Sequence, residues 1–242
     1  MQRVAESSPG VRITVLTTPP SPATKLAAFP PDEQLLPEGV AAATAAAAGL
    51  AGYRSAQWRC GPALRCRQAV AALGATEVTV DDGLDECDYG SWRGRTLDDV
   101  AAADPAGLEA WLTDPDAAPH GGESVRDLLH RATAWLAGVG SGVASGPASG
   151  VASGVASGPA SGVASGPART VAVTHPSVVK AMLVVALGAP PAAFWRLDVA
   201  PLTRTDLSGR PGAWTVRRTA ERLPRGHDAP SSRLHLEGPE VF

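Results

Sequence analysis

Short apolar runs alternate along the chain with amphipathic helical patterns, and this alternation predicts an α/β fold. The first strand is predicted at residues 11–16, because the run VRITVL is short, apolar and rich in β-branched side chains. The clearest helix is predicted at 124–137, where Leu128, Leu129 and Leu136 recur on one face. The other predicted elements are helices at 38–52, 62–73, 96–102, 105–112 and 176–187, strands at 77–80 and 170–174, and a hairpin of 199–207 with 213–218. Strands that alternate with helices favour a layered fold around a mostly parallel sheet.

Three segments are predicted to lie outside the folded part of the chain. Residues 1–10 are polar and are expected to be loose, and residues 221–242 form a polar, proline-containing tail that we expect to be disordered. Residues 141–167 are an array of V-A-S-G and P-A-S-G units without a charged or large side chain. Such an array buries too little apolar surface to offset the entropy lost on ordering. We predict one domain over 11–220 with a disordered insert; a linker between two domains is the alternative.

Composition narrows the class of protein. A chain of 242 residues is long enough for one sizeable domain, and a net charge of −3 gives no general affinity for nucleic acid. The longest apolar run, at 181–187, is far below the ~18 residues that span a bilayer, so no membrane association is expected. The cysteines are Cys60, Cys66 and Cys87, without a CxxC spacing, which favours a reducing cytoplasm over a disulfide framework. No His/Asp cluster has metal-ligand spacing, so neither a metal nor a cofactor is predicted.

Polar residues near the ends of predicted strands are the candidates for chemistry, because sites in open α/β sheets form outside the carboxyl ends of strands. Arg65 and Arg67 lie near a helix start and suit phosphate, although two solvated helix arginines would look the same. Glu86, in the loop at 84–94, is a general acid if burial raises its pKa; the alternative is a turn closed by an aromatic plug. His175, between a strand and a helix, suits anion binding or proton transfer, or is a hydrogen-bonded structural histidine.

The order and spacing of these segments resemble the histidine phosphatase superfamily. The matching stretches are PALRCRQ at 62–68, LDECDYGSWRG at 84–94, GGES at 121–124 and VTH at 173–175. The resemblance is to the bacterial phosphoglycerate-mutase-like phosphatases, including those of cobalamin biosynthesis. It implies a three-layer α/β/α domain with a central mixed, mostly parallel sheet. It also implies that Arg65 clamps the phosphate, that Glu86 donates a proton and that His175 is the second histidine of the pocket.

One motif of the family is missing from this sequence. In the family the first strand ends in Arg-His-Gly, and that histidine attacks phosphorus. Here the strand continues into LTTPPSP, which puts Thr17 at the arginine and Thr18 at the histidine, and no histidine precedes His120. A threonine hydroxyl is a weak nucleophile unless a base activates it. Thr17 and Thr18 are still expected to donate hydroxyl hydrogen bonds to phosphate.

Three functions follow from this pattern. The preferred hypothesis is a binding or regulatory pseudo-phosphatase, whose pocket of Arg65, Glu86 and His175 holds a small phosphorylated molecule or inorganic phosphate. The second is an active phosphomonoesterase with altered catalytic groups, acting on a small phosphorylated metabolite, in which His175 or, less favourably, His120 replaces the nucleophile. The third is a structural partner of another protein, with a vestigial pocket.

Overall fold

The computed structural model describes residues 10–140 and 169–223, and in this part of the chain one six-stranded sheet is the central element. The strands are β1 (Val11–Thr17), β2 (Gln57–Cys60), β3 (Val78–Val80), β4 (Arg169–Thr174), β5 (Thr203–Arg210) and β6 (Ala213–Arg222). Their order across the sheet is β3-β2-β4-β1-β5-β6. The strands from β3 to β1 are parallel to one another, whereas β5 and β6 pair antiparallel. The predicted mixed, mostly parallel sheet is confirmed.

Helices cover both faces of the sheet, which gives the three expected α/β/α layers. The α-helices are α1 (Pro22–Leu26), α2 (Pro37–Ala46), α3 (Leu64–Ala72), α4 (Leu97–Ala103), α5 (Pro105–Thr113), α6 (Val125–Gly140) and α7 (Pro176–Leu187). On one face Ile13 and Val15 of β1 share a hydrophobic cluster with residues of α6 and α7. On the other face Leu16 packs with residues of α2 and α3. One strand serves both layers because neighbouring strand residues point to opposite faces.

The ends of α7 are set by local sequence. The helix begins at Pro176, whose fixed φ suits the first helical turn and whose missing N–H has no partner to lose there. It ends before Gly188, which adopts the left-handed φ of 59° that favours glycine. Val178 and Met182 bury its apolar face. Because His175 immediately precedes Pro176, it is held between the end of β4 and the start of this helix.

Two helical predictions needed correction. The alanine-rich segment predicted as one helix over 38–52 is an α-helix only to Ala46 and continues as a 3₁₀ helix from Ala47 to Tyr53. This second part contains Gly49 and Gly52, which are poor α-helix formers. The proline-rich segment after β1, for which no helix was predicted, contains the short helix α1, which starts at a proline.

The strand predictions also differ from the structure. β2 was not predicted, because polar Gln57 and Arg59 interrupt a four-residue run; Arg59 is buried in an ion pair with Asp81 at 2.9 Å. The hairpin lies later than expected, since β5 begins at Thr203 rather than at 199. β6 continues to Arg222, so the fold extends past residue 220, where the domain was predicted to end.

The three predictions of disorder concern residues that the structure does not describe. Residues 1–9, the array at 141–167 and residues from 224 onward are not among the described residues, so their predicted disorder stays a prediction. Within the described part, no helix is long and apolar enough to cross a membrane. The same residues contain no group of side chains arranged to hold a metal ion.

Candidate functional site

Arg65, Glu86 and His175 meet at one end of the sheet. Arg65 lies in the first turn of α3, which follows β2; Glu86 lies in a loop after a short 3₁₀ turn; His175 follows β4. The Arg65 Nε atom is 3.2 Å from His175 Nδ1, and Arg65 Nη2 is 3.1 Å from Glu86 Oε2. The distance from His175 Nδ1 to Glu86 Oε2 is 3.4 Å. The three side chains line a common cleft of about 400 Å³ at the carboxyl ends of the parallel strands.

The guanidinium of Arg65 is a buried and rigidly held positive charge. The residue is only 3% exposed. Besides its contacts with His175 and Glu86, its Nη1 atom donates to the carbonyl of Pro31 at 2.7 Å. An arginine keeps its charge in such a site and presents its donors in a fixed plane, which suits phosphate oxygens.

Glu86 is an ionised acceptor in the cleft. Its Oε1 atom accepts a short hydrogen bond from Ser177 Oγ and a 3.0 Å bond from the Cys87 N–H. Burial alone raises the pKa of this carboxyl. The charge of His175 when it is protonated, the positive charge of Arg65, and these two hydrogen bonds all lower the pKa, and together they outweigh the effect of burial. The pKa of Glu86 is therefore lowered. A general acid at this position needs a raised pKa, which the sequence analysis expected burial to provide. The pKa of Glu86 is lowered instead, so the contacts in this cleft do not favour the protonated carboxyl.

His175 is a neutral, fully buried imidazole. Burial lowers its pKa to about 4, although the neighbouring Glu86 opposes this. Because Arg65 Nε donates to Nδ1, the ring proton is assigned to Nε2, which faces Cys66 Sγ at 3.3 Å. Both ring nitrogens therefore have partners within the protein. For His175 to act as a nucleophile, one of these contacts would have to break.

Thr18 stands next to His175 at the end of β1. In the parallel pairing of β1 with β4, Thr17 is opposite Thr174, and the Thr18 N–H donates to the Thr174 carbonyl at 2.9 Å. Thr18 lines the cleft. Its hydroxyl makes no hydrogen bond with any described residue. The residue that follows the first strand and lines the cleft is thus a threonine, which carries a hydroxyl.

The structure places Thr17 outside the cleft, which corrects its expected part in phosphate binding. Its hydroxyl donates to the Ala200 carbonyl at 2.9 Å and accepts from the Thr203 N–H at 2.8 Å. Consecutive residues of a strand point to opposite sides, so only one of the two threonines can face the cleft.

His120, the less favoured replacement for the nucleophile, is buried and does not line the cleft. Its ring lies 4.9 Å from the ring of Trp92 and 6.1 Å from that of Tyr89. Its Nδ1 atom accepts the Gly122 N–H at 3.0 Å, and burial lowers its pKa. Among the described residues that line the cleft, His175 is the one histidine.

Comparison with known families agrees with this geometry. Residues 22–156, more than half of the chain, match the family model described as the histidine phosphatase superfamily (branch 1). The chain belongs to the histidine phosphatase superfamily. The match begins after β1, so Thr17 and Thr18 are not part of it.

Curated relatives match over short stretches. A bifunctional protein of Mycobacterium tuberculosis is 46% identical over 57 residues, which are 24% of this chain and 16% of that protein. The glucosyl-3-phosphoglycerate phosphatase of Mycolicibacterium vanbaalenii is 39% identical over 71 residues, which are 28% of this chain and 32% of the relative. The chain therefore aligns with well under two thirds of the length of these relatives.

The likeness of the folds extends much further. A mycobacterial glucosyl-3-phosphoglycerate phosphatase, solved with VO3, superposes with a TM-score of 0.68 at 25% identity. The superposition covers 87% of this chain and 99% of that structure. A structure named mycobacterial hydrolase 1 gives a TM-score of 0.70 at 25% identity, over 89% and 99% of the two chains.

Several residues of the cleft were not found from the sequence. Ser177, two residues after His175, lines the cleft, and Cys66, next to Arg65, contacts His175 from the core; both roles appear only in the contacts described above. Lys180 lies one turn after Ser177 on α7, a spacing that places both on one face and was a usable signal. The aromatic lining residues come from distant parts of the chain, and no local pattern connects them: Phe29, Tyr89, Trp111, Phe194 and Trp195.

Proposed function

We propose that this member of the superfamily binds small phosphorylated molecules, or inorganic phosphate, in the cleft of Arg65, Glu86 and His175. We propose further that it forms no phosphohistidine at the end of β1, and that it hydrolyses phosphate esters very slowly or not at all. The observation that carries this proposal is the position of Thr18 beside His175, where the cleft has a hydroxyl and no second histidine.

Charge supports an anion as the ligand. The carboxylate of Glu86 takes one of the Arg65 donors. A phosphate group brings stronger acceptors and competes with Glu86 for that guanidinium. The named substrate of the mycobacterial relatives, a phosphorylated glycerate, supports the same class of ligand.

The surroundings of Thr18 support loss of the covalent pathway. A hydroxyl needs an adjacent base to become a useful nucleophile. The hydroxyl of Thr18 has no hydrogen-bond partner among the described residues, and the nearby imidazole directs its two nitrogens at Arg65 and Cys66. Removal of the nucleophile from another covalent hydrolase costs about 10⁶ in rate.

An active phosphomonoesterase is the second candidate, and the ionised state of Glu86 favours it. A carboxylate is a general base for water, so slow direct hydrolysis without a phosphoenzyme is chemically open. The substitution Glu86→Gln separates the two candidates. It removes this base but keeps the shape of the side chain.

The test combines binding with turnover. Calorimetry with inorganic phosphate should show binding to the wild type and a loss of roughly 10-fold to 100-fold in Arg65→Ala, since a charge-assisted hydrogen bond contributes about 1.5–3 kcal/mol. Arg67→Ala, an exposed arginine two residues away, is the matched control and should bind normally.

Turnover of 4-nitrophenyl phosphate decides between the candidates. We expect no acid-labile phosphoprotein and no rate in the ordinary enzymatic range of about 1–10³ s⁻¹. A rate in that range would reject the proposal, and slow turnover lost in Glu86→Gln would favour direct hydrolysis. If the wild type binds no phosphate, the remaining hypothesis is a structural partner of another protein, with a vestigial pocket.

The three free, buried cysteines support a reducing cytoplasm as the location.

A further inference from the structure

The cleft continues beyond its charged end into an apolar end. α7 connects the two, because Ser177 donates to Glu86 at the charged end and Lys180 lies three residues later on the same face of the helix. Three residues of α-helix advance about 4.5 Å along its axis. Phe194, which lies beside Lys180, also lines the cleft, and so do its neighbour Trp195 and Trp111, whose ring contacts that of Trp195.

The ammonium group of Lys180 lies in the cleft without an anionic partner. Among the described residues it makes no ion pair and no hydrogen bond, and its Nζ atom lies 5.6 Å from the centre of the Phe194 ring. The residue is half-buried, and burial lowers its pKa although Asp198 opposes this. A partly desolvated cation that makes no ion pair favours an anionic ligand.

Trp111 and Trp195 form one wall of the cleft, and their rings meet edge to face with their centres 6.1 Å apart. Their indole N–H groups are buried inside this wall, so a ligand meets the ring surfaces rather than these donors. Glu86 is the one carboxylate among the described residues that line the cleft, and it lies at the other end.

We infer that the apolar end holds the leaving group of a phosphate ester, and that this group is a flat apolar body bearing a carboxylate that pairs with Lys180. This inference rests on the proposed function, because it places the phosphate at Arg65. A carboxylate fits better than a second phosphate because its single charge matches the single ammonium. The aromatic walls favour the flat body.

Three aryl phosphates of nearly equal shape test the inference: phenyl phosphate, 4-carboxyphenyl phosphate and its neutral analogue 4-carbamoylphenyl phosphate. Calorimetry on the full chain should show that the wild type binds 4-carboxyphenyl phosphate at least ~10-fold more tightly than phenyl phosphate. The carbamoyl analogue should show little of this preference, because it lacks the charge.

The variants locate the preference at one side chain. Lys180→Met should reduce the ratio of the two affinities to within about twofold of one, whereas Lys180→Arg should keep most of it, because the cation remains. Lys25→Met is the matched control: Lys25 is the other lysine of the chain, is exposed and pairs with Glu38, so the ratio should not change.

Three results would contradict the inference, and each would show which part of it, or of the proposed function, is wrong. If the wild type binds phenyl phosphate in competition with inorganic phosphate but shows no preference for the carboxylate, the inference is wrong and the proposed function stands. If phosphoglycolate, which has a carboxylate but no aromatic body, binds as tightly as 4-carboxyphenyl phosphate, the apolar part of the inference is wrong. If neither phosphate nor phenyl phosphate binds, the proposed function fails and the inference fails with it.

Discussion

The Nε atom of Arg65 lies 3.2 Å from Nδ1 of His175, and this contact makes the imidazole an acceptor at that nitrogen. A histidine that accepts from a permanent cation is held neutral, and burial works in the same direction. At the end of the cleft that holds Arg65, Glu86 and His175, the positive charge therefore comes from Arg65 alone. The carboxylate of Glu86 neutralises this charge. An incoming phosphate meets a rigid guanidinium whose geometry is already fixed by the protein.

Removing the Arg65 charge should affect both stability and binding. Arg65→Met leaves the carboxylate of Glu86 buried without its ion-pair partner, and breaking a buried pair in this way typically costs about 3–5 kcal/mol. Urea denaturation at neutral pH should show a loss of this size. Phosphate binding should weaken by roughly 10-fold to 100-fold in the same variant, as in Arg65→Ala.

A double variant separates these two effects. Arg65→Met with Glu86→Leu replaces the pair by apolar side chains, which is often close to neutral for stability. We expect it to recover at least half of the lost stability but none of the phosphate affinity. Recovery of phosphate binding in the double variant would show that the anion site lies elsewhere.

Acidification should destabilise the protein through His175. Its folded pKa of about 4 lies below the unfolded value of 6.5, so between these values the unfolded state binds more protons. The stabilisation is therefore complete above pH 6.5 and is lost as the pH falls through this window. For one such group the loss between pH 7 and pH 5 is about 2 kcal/mol, which urea denaturation at the two pH values would measure.

The slope must be assigned, because His120 also has a pKa lowered by burial and contributes with the same sign. His175→Asn should therefore remove part of the pH dependence, and His120→Asn another part. An unchanged slope in His175→Asn would mean that the imidazole is charged in the folded protein.

Sequence reasoning reached the fold and the three central residues because each lies in a local pattern. Arg65, Glu86 and His175 follow strand or helix boundaries that hydrophobic periodicity reveals, and the order of their motifs identified the family. The same reasoning failed where the answer depends on direction. It assigned Thr17 and Thr18 alike to phosphate, and only the pairing of β1 with β5 and the contacts with Ala200 and Thr203 show that Thr17 faces away.

Electrostatic state was also beyond the sequence. Burial of Glu86 was the expected reason for a raised pKa, yet the charges and donors that come from other segments lower it. Long-range contacts of this kind have no local signature. The short strand β2 was missed for a related reason, since the polarity of Arg59 concealed that an ion pair with Asp81 buries it.

The cysteines should be unreactive in the folded protein. Cys60, Cys66 and Cys87 are all buried, and burial raises the pKa of each thiol. A thiol reagent such as 5,5′-dithiobis(2-nitrobenzoic acid) should label none of the three near neutral pH and all three in guanidinium chloride. Rapid labelling of Cys66 in the native protein would show that His175 is accessible from that side.

Restoring a histidine to the end of β1 tests the central claim about catalysis. Thr18→His places an imidazole at the residue that lines the cleft beside His175, whereas Thr17→His places one at the residue that faces away. We expect Thr18→His to raise turnover of 4-nitrophenyl phosphate by at least ~100-fold, a part of the roughly 10⁶ that a covalent nucleophile contributes, because the arginine of the family motif is still missing. Thr17→His and Thr18→Asn should show no gain.

The phosphoprotein formed by Thr18→His should be acid-labile and stable to alkali, as a phosphohistidine is. A gain in Thr17→His without one in Thr18→His would mean that the cleft is approached from the other face of β1, and the assignment of Thr18 to the lost nucleophile would be wrong.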